Sequence, residues 1–443
     1  MTSNSELHQR RVAAIPRGVA NSLPIYAERA TNAELWDVEG RRYVDFASGI
    51  AVLNTGHRHP AVVKAIGAQL EKLMHACFQI TPYANYIELA EKLNTLAPGP
   101  TPKKSILFST GAEAVENALK IARYHTKRSG VIAFGGAFHG RSIAAMTLTG
   151  KVQPYKSGFG SLLPAVYHVP YPLSYHGVSS QDSLAALEQL FKVDVDPAQV
   201  AAIIIEPVLG EGGFYIAPPE FLRALRELCD RHGIVLIVDE IQSGFGRTGR
   251  MFAVEYAGVE PDLMTVAKSI ASGVPLSAVI GKAQIMDAPP PGGLGGTYAG
   301  SPLGCAAALA VLEVMAGEKL LERSLRIGEL LQSRLRALQL RYPVIGEIRG
   351  LGAMVAMELV RNKDPAQPEA DLTRALVQAA ARHGLVILSC GIYGNVIRFL
   401  APLTISDALL NEGLEMLEAA LAEVSAAHAA PATATAPAQR IAS

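Results

Sequence analysis

The sequence predicts an α/β protein: a three-layer large domain around a mainly parallel sheet, joined to a smaller α/β domain. Three observations carry this. Short continuous apolar runs alternate with amphipathic helical stretches, the pattern of parallel strands buried on both faces. The 443-residue length exceeds what one simple core serves, and 49% apolar residues suffice for a large interior. Past residue 317 the texture changes to long helices separated by short strands.

The elements follow in order. Ser105–Ser109 is an apolar run bounded by turn residues, and the helix-spaced GAEAVENALKIARYHTKR follows it. Val131–Phe134, Ala201–Ile205, Ile234–Val238 and Leu263–Ala267 have strand length, and Pro219–His232 reads as a helix between two of them. These segments place the large domain at 60–315. Within 316–427, helical stretches Glu318–Gln339, Glu369–His383 and Asp407–Ala427 alternate with strands Ala353–Glu358, Val386–Leu388 and Val396–Phe399. Residues 1–59 carry strand-like Glu34–Asp37 and Tyr43–Asp45 and are expected to pack with the smaller domain. The Ala/Pro-rich tail, 428–443, is expected to be disordered.

Composition narrows the function classes. Lys+Arg and Asp+Glu both number 40, there is one Trp, and aromatics make up 6%. Neither the basic stripe nor the stacking platform of a nucleic-acid binder is present. Cys77, Cys229, Cys305 and Cys390 lie far apart with no C-x-x-C. No metal ligand set is expected, and the thiols suit a reducing cytosol. The first residues lack an apolar signal core, and no apolar run approaches membrane-span length. A cytoplasmic location is the expectation.

The chemistry concentrates at strand ends. IVLIVDEIQSGFGRTGR ends an apolar strand in Asp239-Glu240. A Walker B reading requires G-x-x-x-x-G-K-[ST] elsewhere, and none exists. The GFGRTG stretch matches G-x-G-x-x-G, but it lacks the opening helix and ribose acid of a dinucleotide site. A carboxylate facing a ligand at a strand's carboxyl end is the remaining reading. Downstream, DLMTVAK ends a second apolar strand in Lys268. A lysine there is costly unless it is paired or used. An acid and a lysine on two strand ends suit a Schiff-base lysine and an acid that keeps a pyridine nitrogen protonated.

Other segments supply the rest of such a site. Ser109-Thr110-Gly111-Ala112 leads a strand into a helix, where free N–H groups and the helix dipole attract an anion; an ordinary cap is the plain alternative. GGAFHGR lets backbone approach a flat ligand and lets Phe138 or His139 stack on it. Arg141 follows, as a carboxylate binder or as solvated surface. Glu206 and Glu211 come after a buried strand, as site acids or as helix caps.

Taken together, STGAEAVENALKIAR, FHGR, IIIEPVLGEGG, IVDEIQSGFGRTGR, DLMTVAKSIASGVPLSAVIG and GGTYAGSPLGCAAALAVL resemble the class III, fold type I, pyridoxal-phosphate-dependent aminotransferases in order and spacing. DFASGIAVLNTGHRHP and IMDAPPPGGLGGTYAG are similar to the 4-aminobutyrate subgroup in particular. The resemblance implies the type I transferase fold and pyridoxal 5'-phosphate held by Lys268. It implies that Asp239 pairs with the pyridine nitrogen, with Glu206 behind it. Ile241 and Phe138 then take the ring faces, Gln242 the ring hydroxyl, and Gly111 and Ala112 the phosphate. Thr297 reaches the phosphate of a partner subunit in a homodimer or dimer of dimers. Ile50, Arg141, Glu211 and Arg398 shape the pocket for an amino donor and 2-oxoglutarate. Donors of this kind include 4-aminobutyrate, 5-aminovalerate and acetylornithine. A catalytically silent cofactor-binding module is the alternative from a different class.

Overall fold

The computed structural model describes residues 2–429. Seven strands form its central sheet: β1 Lys103–Phe108, β2 Gly130–Phe134, β3 Val166–Val169, β4 Val200–Ile205, β5 Val235–Asp239, β6 Leu263–Val266 and β7 Ser277–Lys282. Their spatial order is β1-β7-β6-β5-β4-β2-β3. β7 runs antiparallel to both neighbours, and every other pair is parallel. Every residue of β2, β4, β5 and β6 is buried, so helices must cover both faces. That is the three-layer α/β arrangement the apolar runs predict. β7 is a short run whose direction the sequence did not reveal.

Local chemistry explains the covering helices. Helix Gly111–Thr126 opens on a capping box, with Thr110 and Glu113 satisfying each other's backbone N–H. Its Ala114, Val115, Ala118, Leu119, Ile121 and Ala122 face the sheet. Helix Pro219–His232 begins with Pro at its first position and ends at Gly233, whose φ of 62° few other residues adopt cheaply. Phe221, Leu222, Leu225 and Leu228 form its buried stripe, each contributing about 1.5–3 kcal/mol of burial.

The remaining strands form two further sheets. Ala27–Thr31, Glu34–Asp37 and Arg42–Asp45 are antiparallel, and Leu385–Val386 adds parallel to the last of them. Ile345–Leu351, Met354–Leu359, Val396–Phe399 and Leu388–Cys390 make an antiparallel sheet in that spatial order. The single strand expected at Val386–Leu388 is therefore two. The chain leaves one sheet and enters the other at the fully buried Ile387. The helix expected from Glu318 starts at Leu320, because Lys319 takes a left-handed φ of 52°. Helix Asn4–Ala14 escaped the periodicity reading because none of its residues is buried. The last helix is Asp407–Ala429, and the tail beyond it lies outside the described residues.

This topology sets the site. β1, β2, β4, β5 and β6 end at the same edge of the sheet, and in parallel strands that edge is where ligands bind. Asp239 closes β5 in register with Thr265 of β6, and Lys268 follows two residues after β6. Two positions 29 apart in sequence thus become neighbours.

Candidate active site

A cavity of about 360 Å³ opens at that edge. Among its walls are Gly111, Ala112, Phe138, His139, Glu206, Glu211, Asp239, Ile241, Gln242 and Lys268. Ten residues singled out in the sequence thus converge on one space. Gly140, Ala267 and Gly273–Leu276 also line it; they lie within quoted motifs, but no reading of the sequence gave them a role of their own.

Lys268 sits in a left-handed conformation, φ 50°, which costs a non-glycine residue about 1–3 kcal/mol. The next residue anchors the turn: Ser269 Oγ donates to Ala51 O at 2.6 Å. Burial lowers the proton affinity of Lys268. Arg398 lowers it further, and Glu211, Glu206 and Asp239 pull the other way; the net shift is down.

The acid end is held from two sides. His139 Nδ1 donates to Asp239 Oδ2 at 2.7 Å, with both side chains inaccessible, and Ile241 N donates to Asp239 Oδ1 at 3.1 Å. The sequence offered His139 only as a stacking ring; its place beside Asp239 is new. Glu206 accepts from Phe138 N at 2.8 Å and Gly210 N at 2.9 Å. Burial, together with nearby Asp239, pushes Glu206 up to about 7 against the pull of His139.

The opposite end suits an anion. Ser109 N and Thr110 N donate to Glu113 Oε2, and Glu113 N donates to Thr110 Oγ1. The N–H groups of Gly111 and Ala112 have no intrahelical acceptor and stand at the cavity wall with the positive end of the helix dipole. Gly111 also allows a close approach, since a Cβ there would meet Ile241 Cδ1 at 3.0 Å. Gln242 Oε1 is buried without a partner among the described residues, an acceptor for a ring hydroxyl. Anion site, lysine, acid and free acceptor around one cavity fit pyridoxal 5'-phosphate.

Glu211 closes one wall by pairing with Arg398. Arg398 Nη1 and Nη2 both donate to its carboxylate, the second at 3.1 Å. Burial raises the Glu211 carboxyl, but Arg398, with Lys268 and Lys151, outweighs it, so the group lies below its usual range. Ile50, Arg141 and Thr297 are exposed and do not line the cavity. Ile50 belongs to the left-handed turn Ser48–Ala51. The Arg141 guanidinium lies 5.2 Å from the centre of the Tyr155 ring, and Tyr155 meets Phe138 edge-on at 5.0 Å.

The glycine motif GFGRTG is buried along its whole length. Its Arg247 is fully buried, donates to Ala401 O at 2.8 Å and to Asn54, and is pushed down to about 9 by burial.

Comparisons with known proteins show which family the chain belongs to. The family model Aminotransferase class-III matches residues 14–421. The 4-aminobutyrate aminotransferase GabT of Escherichia coli is 56% identical over 417 residues, covering 94% of this chain and 98% of that protein. The 5-aminovalerate aminotransferase DavT of Pseudomonas aeruginosa is 56% identical over 415 residues, covering 94% and 97%. Among solved structures, an (S)-enantioselective omega-transaminase from Thermomicrobium roseum matches at 32% identity with a TM-score of 0.87, covering 95% of this chain and 98% of that one. The chain belongs to the class III aminotransferase family, and its cofactor is pyridoxal 5'-phosphate.

Proposed function

We propose that this enzyme transfers the amino group of 4-aminobutyrate to 2-oxoglutarate, giving succinate semialdehyde and glutamate by a ping-pong cycle. The observation that carries the reading is the Glu211–Arg398 pair, in which Glu211 lines the cavity and Arg398 stands behind it. A donor with one carboxylate needs that arginine neutralised, and an acceptor with two needs it released. The 4-aminobutyrate relative supports the same donor. The 5-aminovalerate relative, at equal identity, supports the second reading. The two donors differ by one methylene, worth about 1–3 kcal/mol of discrimination. Steady-state kcat/KM across 4-aminobutyrate, 5-aminovalerate and acetylornithine tests this. The reading expects 4-aminobutyrate to lead, and a clear lead for either rival replaces it.

Bound here, the cofactor supplies an aldehyde for amine exchange and a ring that takes up the electron pair freed at the substrate carbon. Lys268, whose proton affinity burial lowers, is the nucleophile and the carrier of the proton between the substrate and cofactor carbons. Asp239, oriented by His139, would keep the pyridine nitrogen protonated; Phe138 and Ile241 would hold the ring faces, Gln242 the ring hydroxyl, and Gly111 and Ala112 the phosphate. Glu206 fixes the backbone of Phe138 behind them.

Arg141 binds the carboxylate that donor and acceptor share, and Ile50 narrows the approach. Arg141→Ala is expected to lower kcat/KM about 30-fold or more in both half-reactions. Unchanged kinetics with both substrates would return Arg141 to the solvated surface.

The working form is a homodimer or dimer of dimers, with Thr297 reaching the partner's cofactor phosphate. Thr297 is exposed beside Tyr298, whose ring meets His75 at 5.0 Å, and Met74 and Ile80 nearby are 63% and 79% exposed. Exposed apolar surface of this kind supports an interface here. A fully active monomer in sedimentation would contradict it. The enzyme is cytoplasmic, with the cofactor domain at 60–315 and the smaller domain at 316–427 joined by 1–59. Among the described residues no helix is long and apolar enough to cross a membrane.

A further inference from the structure

Glu358 is a buried carboxylate outside the cavity, 1% exposed, on strand Met354–Leu359. It collects partners from four separate segments. Tyr215 Oη donates to it at 2.5 Å and Arg349 Nη1 lies at 2.7 Å, both on Oε2. His176 Nε2 at 2.9 Å and Asn395 Nδ2 at 3.2 Å meet Oε1. Burial alone would raise this carboxyl, yet His176, Arg349 and Tyr215 hold it at about 2.

One of those partners, Tyr215, belongs to the hairpin that carries Glu211, and another, Asn395, adjoins the strand that carries Arg398. Tyr215 closes the hairpin with Glu211 near its tip: Leu209 N donates to Tyr215 O at 2.9 Å, and Phe214 N to Leu209 O at 2.7 Å. Arg349 reinforces the same hairpin, donating from Nε to Gly213 O at 2.8 Å while its guanidinium lies 3.7 Å from the centre of the Tyr215 ring. Asn395 directly precedes strand Val396–Phe399, which carries Arg398, and its Nδ2 also donates to Leu359 O at 2.9 Å. That strand pairs with the Glu358 strand, Glu358 opposite Val396 and Ala356 opposite Arg398.

We infer that Glu358 is a positioning residue that fixes the hairpin of Glu211 against the strand of Arg398, and so biases the pair toward its closed form. The inference rests on the proposed donor and acceptor. Closure serves the half-reaction with the single-carboxylate donor; the glutamate half-reaction needs the pair open. Loosening the link therefore penalises one half-reaction and spares the other. A merely structural carboxylate would affect both alike.

The test is single-turnover kinetics of each half-reaction on cofactor-loaded wild type, Glu358→Gln and Tyr215→Phe. Glu358→Gln keeps the shape and removes the charge; it is expected to slow the 4-aminobutyrate half-reaction roughly tenfold relative to the glutamate one. Tyr215→Phe keeps the ring under Arg349 and removes one hydrogen bond. The same bias is expected there, smaller, roughly threefold, and it decides the matter if Glu358→Gln fails to fold. Equal change in both halves, or none, with an active wild type overturns this inference alone. A wild type active with glutamate but inert to 4-aminobutyrate removes the functional reading, and this inference with it.

Discussion

Replacing Lys268 with alanine is expected to cut turnover by on the order of 10⁴-fold or more, because in the proposed mechanism one side chain supplies both the nucleophile and the proton carrier. The phosphate end and the acid end should survive, since the Thr110–Glu113 cap that opens the helix of Gly111 and Ala112, and the bonds that hold Asp239 and His139, do not involve Lys268. The variant should therefore still bind pyridoxal 5'-phosphate, but reversibly. Borohydride reduction of the wild type followed by peptide mapping should label Lys268 and, in the variant, no residue in its place. A label on another lysine, or turnover near wild type, would refute the assignment. The left-handed backbone at this position adds a structural reason to expect a special role, since strain of this kind persists where function requires it.

The second large effect concerns the Glu211–Arg398 pair. Arg398 is almost wholly buried, its side chain 4% exposed. Removing one partner of a buried ion pair costs about 3–5 kcal/mol, because the other charge is left without compensation. A substrate carboxylate can replace Glu211 beside Arg398 in the glutamate half-reaction only. Glu211→Ser should thus depress the 4-aminobutyrate half-reaction far more than the glutamate half-reaction. Arg398→Ala should do the reverse, since the acceptor's second carboxylate loses its cation while the donor has none to lose. Rapid-mixing measurement of each half-reaction separates the two. Equal damage to both halves in both variants would make the pair structural.

The sequence showed the core of this site because two apolar strands end in residues that apolar strands do not favour. Asp239 and Lys268 announce themselves that way, and parallel register brings them together. The proposed phosphate end was legible as a turn into a capped helix. The His139–Asp239 bond was not legible, since nothing in GGAFHGR distinguishes a stacking ring from a donor. The Glu358 cluster was invisible for a different reason: its partners lie at 176, 215, 349 and 395, and only the fold joins them. In the fold itself, period and length revealed the buried strands. β7 and the split at Ile387 escaped because strand direction and sheet membership are set by tertiary pairing. Thr297, Arg141 and Ile50 came from resemblance, and one chain leaves all three exposed.

The most direct test of the central claim is the isolated donor half-reaction. Purified, cofactor-loaded enzyme is mixed with 4-aminobutyrate alone while the visible absorption is followed and the product is identified. The visible band should bleach as succinate semialdehyde is released in proportion to the sites present, and 2-oxoglutarate should restore the band and yield glutamate. A band unmoved by 4-aminobutyrate, in enzyme that glutamate does bleach, would contradict the account.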